Sequence, residues 1–268
     1  MFRVVWATDV HLEFVDASRR HAFYGDLISA TPDAVILSGD IGTAQNVCTF
    51  LAEIDAIATW PVLFVLGNHD YYHGSIGEVR GRVSRLARES RRLTYLSDAG
   101  IVELTPTVCV IGHDGWGDAR LGEFGASRLF LNDFRLIREL VLPRPLLREK
   151  LHALGDEAAA HFARLLPEAL TKYELIYIVT HVPPFREVCL NEGRPSDDDG
   201  LPFFACKVVG DVILDAATAH RGHRVTILCG HTHSAAEARV APNVLAIAGG
   251  AAYGVPGVQR VLELPKEP

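Results

Sequence analysis

Two histidines one residue apart, His231 and His233, follow an apolar run from Val225 to Cys229 that reads as a strand. Alone, a His-x-His pair says little, but the same strand-then-ligand pattern occurs four more times. Val4 to Thr8 runs into Asp9-Val10-His11, and Ala34 to Ser38 into Gly39-Asp40. Val62 to Leu66 runs into Gly67-Asn68-His69-Asp70, and Leu175 to Thr180 into His181. Carboxylate, imidazole and amide oxygen without thiolate suit divalent Mn, Fe, Co, Ni or Zn. Seven candidate ligands are too many for one ion and suit two that share a bridging carboxylate. Such a pair, typically about 3.5–4 Å apart, clamps a phosphoryl oxygen and makes hydroxide from bound water. Gly39 and Gly67 precede ligands, where the missing side chain lets the backbone turn sharply.

The elements that must position these groups follow from periodicity. Helical patterns over Arg19–Ala30, 47–57 and Ile76–Arg92 alternate with the strands at 34–38 and 62–66. This βαβαβ rhythm predicts a parallel sheet with its ligands gathered at the carboxyl ends of strands. Strands are then expected at 102–104 and 108–112, followed by a Gly-, Asp- and Arg-rich stretch from His113 to Asp133. Leu147, Leu151, Leu154, Ala158, Phe162 and Leu165 repeat in threes and fours, the stripe of a long helix on a core. A helix near Lys207–Ala219 and three closing strands (236–240, 244–248, 258–264), expected to be antiparallel, complete the chain. Candidate ligands run from Asp9 to His233, so a division into two domains would cut the site. One domain over 1–268 is expected, with a substrate-side loop or lid at 113–145.

At this point the chain resembles the calcineurin-like metallophosphoesterase superfamily, whose signature is D-x-H, G-D, G-N-H-D/E, a lone His, then G-H-x-H. All five blocks occur here in order, each at a strand end. The resemblance implies an α/β fold, a two-sheet mixed β-sandwich flanked by α-helices. It implies that Asp9, His11 and His233 hold one metal ion, that Asn68, His181 and His231 hold the other, and that Asp40 bridges. His69 would face the phosphoryl group as acid or charge stabiliser, with Asp70 orienting its ring. The departures are informative. Protein phosphatases of this superfamily carry G-D-x-V-D-R-G, whereas here Gly39-Asp40-Ile41-Gly42-Thr43 puts Thr43 in place of the second acid. The pattern is closer to small bacterial phosphoesterases. A phosphodiester or nucleotide-type small substrate is favoured; a small-substrate phosphomonoesterase and a non-catalytic protein-binding scaffold are the alternatives.

Composition bounds the rest. The apolar fraction of 49% supports a sizeable core, and no apolar run is long enough to cross a bilayer. A cleavable leader would remove the Asp9/His11 strand, so a cytoplasmic protein is expected. Five cysteines without a CxxC pair read as reduced thiols packed in the core, Cys229 included. A formal charge of −7 disfavours an extended nucleic-acid surface but not a small phosphorylated substrate. His113, Arg120 and Arg128 are candidate substrate contacts, because loops carry specificity on such scaffolds. Asn132 and Asp133 read as a helix cap, and Asp197-Asp198-Asp199 as a solvated acidic loop. Tyr71, Tyr72 and Phe185 flank candidate ligands and serve either stacking or packing.

Overall fold

A computed structural model describes residues 1–266. The amino-terminal half runs β1 (Phe2–Ala7), α1 (Ala17–Ser29), β2 (Ala34–Ser38), α2 (Val47–Ile57), β3 (Val62–Val65), α3 (Ile76–Glu89), β4 (Leu93–Tyr95), β5 (Val102–Thr105) and β6 (Val108–Gly112). A short α4 (Asp133–Leu136) and a 29-residue α5 (Arg144–Lys172) lead to β7 (Leu175–Val179), then the two-residue strands β8 (Leu190–Asn191) and β9 (Arg194–Pro195). The chain closes with α6 (Leu201–Phe204), α7 (Lys207–Ala219), β10 (Arg224–Cys229), β11 (Ala236–Ala241), β12 (Val244–Ala248) and β13 (Arg260–Leu264).

Two mixed sheets result, ordered β13-β1-β2-β3-β4 and β11-β12-β10-β7-β6-β5. Period-two alternation assigns each strand two buried faces. Val4 and Trp6 of β1 pack between the sheets with Tyr177 and Val179 of β7. Val5 and Ala7 face the other way, onto a core built with residues of α1, α2 and α3. Ile176 and Ile178 of β7 likewise face α5 and α7. Burial on both faces explains why these strands read as continuous apolar runs. Helix starts are also locally encoded: Asp16 accepts from Arg19 N at the start of α1, and Ser75 from Glu78 N at the start of α3.

The expected α/β two-sheet sandwich with flanking helices is the fold observed. The closing strands depart from expectation. β11 and β12 are antiparallel to each other, yet β12 runs parallel to β10, because β11 loops outside it to the sheet edge. β13 leaves that sheet altogether and pairs antiparallel with β1. β4, only three residues long, carried no legible period.

Candidate active site

The candidate ligands sit on loops at the carboxyl ends of strands from both sheets. β1, β2 and β3 deliver Asp9, His11, Asp40 and Asn68; β7 and β10 deliver His181, His231 and His233. Backbone hydrogen bonds lock the loops together: Asp9 N and His11 N donate to Gly39 and Asp40 carbonyls, and Gly230 N donates to that of His181. Five of the seven candidates adopt a left-handed backbone: Asp9 (φ 48°), His11 (φ 42°), Asp40 (φ 52°), His231 (φ 74°) and His233 (φ 55°). Non-glycine residues reach this region at a cost and cluster there at functional sites. Gly39 turns at φ 95°. Gly67 has a different role, since a Cβ there would run into the Asp40 carboxylate.

The side chains converge, with oxygen and imidazole nitrogen atoms facing one another. His181 Nδ1 lies 2.9 Å from the Ser38 carbonyl, and His231 Nε2 lies 3.3 Å from that of Phe203. A carbonyl only accepts, so these nitrogens carry the protons. The other nitrogens, His181 Nε2 and His231 Nδ1, stand 3.2 and 3.0 Å from Asn68 Oδ1. Asn68 is oriented by donating Nδ2 to Asp133 Oδ1 at 2.9 Å. In the adjoining group, His11 Nε2 faces His233 Nε2 at 3.0 Å, and His233 Nε2 is 3.4 Å from Asp9 Oδ1. Asp40 Oδ2 stands between the groups, 3.6 Å from His11 Nε2 and 3.4 Å from His181 Nε2. In the metal-free protein a proton between His181 and Asp40 links these groups, in the place a cation would take. Oxygen and imidazole donors with no thiolate fit hard or borderline divalent metals.

Electrostatics reflect the same crowding. Burial would raise the Asp40 carboxyl, but the imidazoles of His181, His69 and His11 hold it well below the usual range. Burial opposes charge on His181 too, and the Asp40 carboxylate overrides it, lifting that ring to about 10. Burial and the charge of His181 hold His231 down to about 3. His69 is pulled down by burial and up, more strongly, by Asp40 and Glu13.

The structure brings the seven candidates and His69 together and leaves others elsewhere. Asp70 does not reach the His69 ring: its carboxylate accepts from the backbone N–H groups of Ile41, Gly42 and Gly67 at 2.7–3.0 Å. The carboxylate that does approach His69 is Glu13, 3.7 Å from Nδ1. His113 is buried, accepts from Gly115 N, and lies near Glu157 of α5. Arg120 pairs with Asp118 and Asp156. Arg128 is exposed, its backbone N–H bonded to Asp199. None of these three lines the cavity at the site. Their loop is drawn away toward α5 and the 197–199 turn, where these partners hold them. In that turn the acidic run shapes the loop, Asp197 Oδ1 accepting from Gly200 N at 3.0 Å. Asn132 caps α4 without a side-chain bond, and Asp133 instead holds both Asn68 and Tyr72. Tyr71 is buried against Asp114, Phe185 packs in the α5/α7 core, and Cys229 points into that core as expected. Tyr72 stacks on His69, with ring centroids 4.2 Å apart.

A cavity of about 560 Å³ opens over the site. Tyr72, Phe204 and Tyr253 supply apolar walls, and Asn132, Asn191 and Ser234 supply neutral polar groups. Glu192 and Asp133 add carboxylates, and among the described residues no Lys or Arg lines it. Glu13 and Tyr253 escaped the sequence reading, and Asp133 was read there as a helix cap. Glu13 alone carried a signal, lying two residues beyond His11.

Known structures share this architecture at low identity. The phosphopantetheinyl hydrolase PptH from Mycobacterium tuberculosis superposes with a TM-score of 0.64 at 13% identity, covering 95% of this chain and 94% of that one. A dimetal phosphatase from Danio rerio gives 0.58 at 15% identity, covering 95% and 88%. GAP50, the anchor in the inner membrane complex of Plasmodium, gives 0.51 at 13%, covering 93% and 71%. No curated protein matches the sequence. At the level of sequence pattern, residues 2–235 match the calcineurin-like phosphoesterase family over most of the chain. With that match and this cluster of Asp and His side chains, the chain belongs to the calcineurin-like phosphoesterases and is a metal-dependent phosphoester hydrolase.

Proposed function

We propose that the substrate is a small phosphodiester with a planar, neutral group on one arm, cleaved with two divalent cations. Asp9, His11 and His233 would hold one cation, Asn68, His181 and His231 the other, with Asp40 between them. When bound, such cations neutralise phosphoryl charge and lower the pKa of water. His69 lines the cavity with Nδ1 turned toward Glu13, leaving Nε2 to give a proton to the departing oxygen. Tyr72, stacked on His69, limits its tilt. Asn132, Asn191 and the rings of Tyr253 and Phe204 would receive the organic arm.

The observation that carries the diester reading is the cavity's charge. With carboxylates and no guanidinium or ammonium in its lining, nothing beyond the cations balances the second charge of a monoester or of extra phosphates. A diester brings one charge. All five cysteines are free thiols, which suits work in a reducing compartment. No helix among the described residues is long and apolar enough to cross a membrane.

The test is turnover of bis(4-nitrophenyl) phosphate, 4-nitrophenyl phosphate and nucleoside diphosphates by Mn²⁺-loaded protein. The diester should lead in kcat/KM by roughly tenfold or more. Equal or faster monoester turnover would replace this reading with a phosphomonoesterase. His69→Ala should keep both ions and lose roughly 10²–10⁴ in rate.

A further inference from the structure

Glu13 lies on the 3₁₀ turn Leu12–Phe14 that leaves β1. One of its oxygens, Oε1, is 3.3 Å from His11 Nδ1 and 3.7 Å from His69 Nδ1. The two rings meet edge to face, centroids 4.6 Å apart at 70°. The Glu13 side chain is only 10% exposed, and its Oε2 is buried without a hydrogen-bond partner. A buried carboxylate is expensive unless it is paired, and the partners on this one's Oε1 side are these two imidazoles. Asp70, adjacent to His69 in sequence, is already engaged by three backbone N–H groups.

We propose that Glu13 is the positioning residue of this site, one carboxylate oxygen setting the tautomer and tilt of both His11 and His69. An ionised carboxylate only accepts, so the nitrogen facing it on each ring carries the proton. For His11 this leaves Nε2, which already faces His233 Nε2 and Asp40 Oδ2, as a lone-pair donor to a cation. For His69 it leaves Nε2 for the cavity and places a negative partner behind a ring that must donate a proton. Because one oxygen serves both rings, the acid and one cation ligand are held in a fixed relation. The turn joining β1 to α1 thus supplies what the residue after His69 does not. The proposal rests on the phosphoesterase reading for its kinetic consequence, though not for its geometry.

The test compares Glu13→Ala, Glu13→Asp and Asp70→Asn with wild type, in the presence and absence of His69→Ala. Metal content per chain is measured alongside kcat and KM over aryl phosphodiesters of graded leaving-group pKa. Glu13→Ala should lower kcat roughly 10- to 100-fold, the range for partners behind a ligand, with KM little changed. The loss should grow as the leaving group worsens, shrink in Glu13→Asp, and be less than additive with His69→Ala. Equal loss on every leaving group, or full additivity, overturns the proposal. So does a third ion in wild type that Glu13→Ala loses, since Glu13 would then be a ligand. A measurement independent of turnover uses imidazole ¹H–¹⁵N spectra of Zn²⁺-loaded protein. The His69 Nδ1–H signal should be lost in Glu13→Ala and persist in Asp70→Asn; persistence in both overturns the proposal. If wild type is inert on every phosphoester, the phosphoesterase reading fails and the spectra alone decide the role of Glu13.

Discussion

Two buried polar clusters stand close together at the carboxyl edge of the sheets, and they are wired in opposite ways. Asp114, just past β6, is filled with donors: Leu66 N and Ser97 Oγ at 2.8 Å, Tyr71 and Tyr95 hydroxyls at 2.6 Å, and Arg80 Nε at 3.0 Å. Burial would raise its carboxyl, but Arg80, His113 and the two tyrosine hydroxyls together hold it below the usual carboxylate range. Around Asp40 and Asn68, oxygens and imidazole nitrogens face one another, and the Asp40 charge is met chiefly by the rings of His181, His69 and His11, whose protons a cation can displace. The first cluster is complete within the protein and ties β3, β4 and α3 together. The second is incomplete until a cation arrives. Counting donors against acceptors therefore separates a structural knot from a reactive site where burial and residue type do not.

The largest effect that can break this contrast is on turnover. Asp40→Ala should abolish activity and metal retention while the chain still folds, because its carboxylate pairs with the site imidazoles and takes no part in the apolar cores. Metal analysis and circular dichroism check both halves, and a variant that keeps its ions and rate would end the bridging role. Next comes stability. Asp114→Ala leaves Arg80 and two tyrosine hydroxyls without their acceptor and should cost about 3–5 kcal/mol in urea unfolding. Its surviving native fraction should still bind metal. A more selective change sharpens the comparison from the other side. His231→Ala and His233→Ala should each leave one ion per chain, and the ions left should differ in their exchange rates; loss of both from either variant would merge the two sites.

The smallest effect concerns pH. His161, on α5 against His113, is pushed down by burial to about 4 from an ordinary 6.5. The unfolded chain therefore takes up this proton first, and stability falls as pH drops from 6.5 toward 4. His161→Gln should flatten the loss of Tm in that window, and an unchanged slope would assign it to other groups.

Much of this was legible in the chain. Strand ends announce themselves because a run buried on both faces must stop where polar ligands begin, and α7 was read to within its bounds because its apolar spacing is regular. The partner of His69 was not legible. The family resemblance pointed to Asp70, but the 3₁₀ turn after Asn68 aims that carboxylate back into three N–H groups, while Glu13 arrives from another strand. His113, Arg120 and Arg128 misled for a related reason. Their residue types suit a phosphate, yet the loop carries them to acidic partners on or near α5 and at the 197–199 turn. Tyr253 and Asp133 joined the site through tertiary packing with no local pattern of their own.

The division of the candidate ligands between two sheets has a consequence for biosynthesis. Asp9, His11, Asp40 and Asn68 are synthesised well ahead of His233, which follows only after β10. At ordinary elongation rates the interval from Asp40 to His233 is roughly ten to forty seconds. During it the nascent chain presents half a cage, with the loops' left-handed backbones unsupported by the second sheet. Cation selectivity should then belong to the finished protein, and metal added after refolding should give the same occupancy as metal present throughout.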